Sequence, residues 1–74
     1  MGRIKLGNKV TLLDLQAKEP CSLYLVKSCE GDSRSTAVSY LSPLGSKLLG
    51  RAPGETVEVK IFGRTERFHI VGVE

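Results

Sequence analysis

The chain has no tryptophan, one methionine, one histidine and two cysteines, and its two phenylalanines and two tyrosines amount to 5% of the residues. So few aromatics argue against a deep ligand pocket walled by rings. Cys21 and Cys29 flank a segment that reads as one extended strand, which would hold them roughly 26 Å apart. Disulfide Cα atoms lie within about 7 Å, so both are read as free thiols, a usage that fits a reducing cytoplasm. A zinc site would need further ligands at short spacing, and only His69 remains to offer one. Apolar stretches are interrupted every few residues, so neither a membrane span nor a signal-peptide core can be drawn. Met1-Gly2 does not open a myristoylation signal, because Leu6 stands where Ser or Thr is needed. Heptads are lacking too, which excludes a coiled coil. No phosphate loop, zinc motif or nucleophile elbow is found. Accordingly no catalytic residue, metal ligand, cofactor or small-molecule substrate is assigned.

What the chain does contain is enough for one small domain, residues 1–74, with 41% hydrophobic and 26% charged residues. A domain of this size buries only about 60% of the surface that its unfolded chain exposes. Binding at a surface is therefore expected before catalysis in an enclosed cavity. The net charge of +3 is well short of the dense basic stripe of a dedicated nucleic-acid binder.

Alternation and punctuation divide the chain. Lys9–Leu15 reads as a first strand covered on both sides, with Val10 and Leu12 on one face and Thr11, Leu13 and Leu15 on the other. Glu19-Pro20 breaks it. Ser22–Val26 follows as a second strand, giving an antiparallel meander. Glu30–Thr36 is polar, contains Gly31, and reads as an exposed loop where disorder is expected. Ala37–Leu41 resumes an extended pattern. Pro53-Gly54 has the residues of a type II turn. Thr56–Phe62, a tight turn at Gly63-Arg64 and a returning strand with Phe68 and Ile70 inward form a hairpin.

Between the third and fourth strands, Ser42–Gly50 carries the strongest local signals. Ser42 is suited to cap a helix, Pro43 to its first position and Gly50 to a left-handed end. The helix is about two turns, with Leu44, Leu48 and Leu49 directed at a sheet and Ser46 and Lys47 at water. The expected fold is α+β: a twisted antiparallel sheet of about five strands with one short helix on it.

At Ser39-Tyr-Leu-Ser-Pro-Leu-Gly-Ser-Lys-Leu-Leu-Gly50 the chain resembles the C-terminal domain of the bacterial transcript-cleavage elongation factors, the GreA and GreB family. Gly2–Gly7, Val10–Leu15 and Leu23–Val26 are similar to the entry segment and first strands of that domain. Gly54–Val59, Gly63 and Phe68–Val71 are similar to its closing hairpin. The resemblance implies an FKBP-like domain that docks on bacterial RNA polymerase at the rim of the secondary channel, in the cytoplasm. In full-length members a separate N-terminal coiled coil carries the acidic residues that promote cleavage of backtracked RNA, so these residues alone are not expected to stimulate cleavage. Carried over by position, the polymerase-facing segment is Leu41, Ser42 and Pro43. The position of Leu41 is often polar or acidic in the family, and this chain departs from the pattern there. Ser42 and Pro43 are also explained simply as a well-made helix start. Rnk, a related regulator with a shortened coiled coil, suggests an alternative in which the domain competes for the same polymerase surface.

Two other function classes compete with this reading. Prolyl isomerisation, suggested by the FKBP relation, does not follow from a fold and lacks its aromatic pocket here. Nucleic-acid binding would use a candidate basic face of Lys47, Arg51, Lys60, Arg64 and Arg67. No aromatics are interleaved with these charges for base stacking, so a solvated surface, with nucleic acid reached only through polymerase, is the simpler reading.

Overall fold

The computed structural model describes residues 2–28 and 36–74. The loop expected at Glu30–Thr36 therefore lies outside the described residues except for Thr36, as does Cys29. Among the described residues the elements run β1 (Lys9–Asp14), β2 (Glu19–Val26), β3 (Ala37–Ser39), α1 (Pro43–Leu48), β4 (Thr56–Ile61) and β5 (Arg64–Val73). The strands form one sheet in the order β3-β2-β1-β5-β4.

Three of the strand pairs are antiparallel, as expected. The pair β2–β3 is parallel, with Tyr24 opposite Ala37 and Val26 opposite Ser39, so the sheet is mixed. The second strand also begins earlier than the sequence suggested, and Pro20 sits inside it opposite Leu13. The proline is tolerated because β3 pairs only with Tyr24–Val26. At Pro20 the strand is still an edge, where a missing N–H breaks no ladder bond.

Helix α1 packs on both β3 and β4, the two outermost strands. In a flat five-stranded sheet those edges would lie about 19 Å apart, nearly twice the width of a helix. The sheet therefore curls, and α1 bridges its two edges. Inside the curl, Ile4, Val10, Leu12, Leu23, Leu25, Leu48, Val57, Val59, Phe68 and Ile70 make one core. The other face of β1 is not covered: Thr11 and Leu13 are half-buried and Leu15 is exposed. The expectation of a strand sandwiched on both sides is thus corrected, since the single helix supplies only one covering layer.

Ile4, which no periodicity marked, is buried because its backbone pairs with the helix end. Its N–H donates to the Arg51 carbonyl at 2.7 Å, and its carbonyl accepts from Gly50 N–H at 3.0 Å. Gly50 has φ +84, the left-handed end expected for it.

The β1–β2 connection is held by Asp14. Its carboxylate accepts from the backbone N–H groups of Gln16 (3.0 Å) and Ala17 (3.1 Å) and from the Gln16 side chain (2.8 Å). The Ala17 N–H, foremost, holds this carboxyl below the usual Asp value. A native carboxyl held low adds stability that is present above the unfolded-state value and is lost as pH falls through the native one. We expect acid to weaken the fold progressively below about pH 4. In Asp14→Asn that part of the pH dependence should vanish, as measured by urea unfolding from about pH 5 to pH 2.

Gly45 is buried on the face of α1 toward β3, and a Cβ there would stand 2.0 Å from the Ser39 carbonyl oxygen. Backbone cannot yield as a flexible side chain would, so the helix would have to lift. Gly45→Ala should cost about 1–3 kcal/mol by urea unfolding. A variant of unchanged stability would show that α1 does not need this close approach.

Candidate docking surface

The region singled out in the sequence, Leu41–Pro43, forms the junction between β3 and α1. Ser39 anchors it: its carbonyl accepts from Ser42 N–H at 3.0 Å and from Ser42 Oγ at 2.7 Å, and its Oγ accepts from Leu41 N–H at 3.1 Å. Ser42 is the N-cap, with Oγ accepting from Gly45 N–H at 3.0 Å, and Pro43 opens the helix. The hydroxyl of Ser42 thus donates to one element and accepts from the other. The backbone is fixed while Leu41 projects, with 74% of its surface exposed.

Next to this junction lies an open apolar groove of about 390 Å³. Val38 of β3, Pro43 and Leu44 of α1, and Ile61 and Phe62 at the end of β4 line it, with Lys60 on its border. It occupies the gap where the two edges of the curled sheet fail to meet, beside the first turn of the helix. Leu44 is half-buried and Leu48 fully buried on the core side. Leu49 lies just past the helix and is 40% exposed, so it does not join the leucine face as the helical period suggested.

Phe62 was the residue that sequence reasoning missed. The tight turn is centred on Phe62 and Gly63, one residue earlier than expected, with φ of +50 and +78. Positive φ at both central residues is the type I′ arrangement that matches strand twist and is usually met by Asn, Asp or Gly. A bulky aromatic in this conformation carries strain of about 1–3 kcal/mol. Phe62 is fully exposed, so no core packing offsets that strain. The signal in the sequence is an aromatic immediately before glycine at a two-residue hairpin loop, where the alternation of Thr56–Phe62 also accommodates the ring in the strand.

The five basic residues are all exposed but do not form one face. Cross-strand partners share a side of the sheet. Arg64, opposite Ile61, is therefore on the groove side, while Arg67, opposite Glu58, is on the outer side. Arg67 Nε donates to Glu58 Oε2 at 3.0 Å. Arg51 is engaged by Glu55 at 3.6 Å and donates from Nε to the Lys47 carbonyl at 3.2 Å. Arg64 at the hairpin end and Lys47 on the helix lie beside the groove, and Lys60 reaches its rim from the outer side of β4. His69 Nδ1 lies 3.1 Å from Thr56 Oγ1 on the hairpin. Cys21 is an exposed free thiol whose pKa is raised above the usual cysteine value, first by partial desolvation and then by the nearby Asp14 carboxylate.

Fold and groove together define a small α+β domain whose notable surface is an apolar cleft at a helix start. Residues 1–74 match the family described as the C-terminal domain of transcription elongation factor GreA/GreB. The chain is 37% identical over 71 residues to transcription elongation factor GreA of Methylobacterium nodulans, covering 96% of this chain and 45% of that protein. To GreA of Clostridium perfringens it is 30% identical, covering 95% of this chain and 44% of the relative. Among solved structures, Gfh1 of Thermus aquaticus superposes with a TM-score of 0.82 at 28% identity, over 99% of this chain and 49% of that one. The GreA/GreB factor of Nitrosomonas europaea gives 0.77 at 30% identity, over 97% and 60%. The chain belongs to the GreA/GreB transcription elongation factor family and corresponds to its C-terminal domain. It spans about half the length of the curated relatives it matches.

Removing the cap should loosen the whole junction. Ser42→Ala is expected to cost about 1 kcal/mol in chemical unfolding, with Ser42→Thr retaining most of the stability.

Proposed function

We propose that this domain is the RNA polymerase-docking element of a Gre-type transcription regulator, acting in the cytoplasm near the secondary channel of the enzyme. The observation that carries the reading is the Leu41-Ser42-Pro43 junction. A side chain with 74% of its surface exposed stands on backbone immobilised by Ser39 and Ser42, beside an apolar groove, in a chain of the elongation-factor family. A contact on rigid backbone loses little conformational entropy on binding. The domain acts in this reading by binding and positioning, without chemistry of its own. Direct nucleic-acid binding is less well supported, because two of the five candidate cations, Arg51 and Arg67, are already engaged by Glu55 and Glu58.

Immobilised domain should retain purified bacterial RNA polymerase core enzyme. Leu41→Ala and Pro43→Ala should each weaken retention about fivefold to tenfold, the scale of central interface residues. Absence of retention by the unaltered chain would overturn the proposal.

A further inference from the structure

We propose that Phe62 is the principal anchor of this docking surface and that the groove takes an apolar side chain flanked by carboxylates on a protein partner. This deepens the polymerase-docking reading and rests on it. A hairpin loop of this kind is served best by Asn-Gly or Gly-Gly. Phe62 instead holds a fully exposed ring in a left-handed conformation at the end of the groove. Large aromatic side chains, phenylalanine among them, are enriched at interfaces and dominate their energetics.

Charge indicates what accompanies the apolar contact. None of the described groove-lining residues is acidic, and Lys60, although its side chain leaves the strand on the outer side with Glu58, contributes to the rim of the cleft. Arg64 stands on the same side as Ile61 at the hairpin end. Lys47 lies one turn along the helix from Pro43. The carboxylate of Glu58 is held by Arg67, and that of Glu55 faces Arg51. Glu66 shares the groove side of the sheet, opposite Val59, and is half-buried there. An apolar cleft with a cationic border complements a segment carrying an aliphatic or aromatic residue between Asp or Glu.

Phe62→Asn separates anchoring from folding, because asparagine suits the same turn. The experiment measures polymerase core affinity and thermal unfolding of the unaltered chain, Phe62→Asn, and the double variant Lys60→Gln/Arg64→Gln. Phe62→Asn should unfold at the same or a higher temperature and bind at least tenfold more weakly. The double variant should bind more weakly at low salt and show a flatter salt dependence. If the unaltered chain binds and Phe62→Asn stays within twofold of it, the anchor role is overturned while the docking reading stands. If the unaltered chain does not bind, both fall. Retention that disappears on nuclease treatment would overturn the inference in favour of nucleic acid. A concentration-dependent dimer abolished by Phe62→Asn would overturn it in favour of a second copy of the chain.

Discussion

The position of the helix depends on how closely its first turn can approach the strand before it. With no Cβ at residue 45, the helix backbone comes down against the Ser39 carbonyl. That carbonyl also accepts both the backbone N–H and the hydroxyl of Ser42. One peptide group therefore receives the helix cap and sets the height of the helix above the sheet. Leu48 then falls into the core, and the Gly50-Arg51 end is placed where Ile4 can bond to it. The N-terminal segment, the helix and both sheet edges are coupled through this one approach, and the groove beside Pro43 is what the helix leaves uncovered.

Features decided by neighbours in the chain were the ones most readable in advance. The cap at Ser42, the proline at the first helical position, the left-handed Gly50 and the alternation of Val57 and Val59 follow from local rules, and all are found. The parallel pairing of β3 with β2 was not readable, because it depends on a crossover between two strands whose residue types suit either direction. Pro20 reads as a break in the sequence for a related reason: its place in β2 is acceptable only because β3 stops short of it. Burial of Ile4 likewise depends on long-range backbone bonds and leaves no periodic trace.

The candidate site was legible in part. Leu41, Ser42 and Pro43 do lie together on a fixed junction, yet the groove beside them is completed by residues from β3 and from the end of β4. No spacing rule connects Val38 to Ile61, since only the curl of the sheet brings them near. The basic residues show the opposite error. Nearness in sequence suggested one face, whereas strand alternation sends Arg64 and Arg67 to opposite sides.

The pairing of β1 with β5, in which Val10 meets Val73, also bears on how the fold is reached. These two strands lie side by side within the sheet while standing at opposite ends of the described chain, so the pair that joins the two halves cannot form until β5 has been synthesised. Until then β1 has one open edge and the core lacks Phe68 and Ile70. Loop closure over such a separation is slow compared with local helix formation. On the ribosome the chain should thus emerge as a meander with an unfinished helix platform, acquiring cooperative stability in one late step rather than element by element.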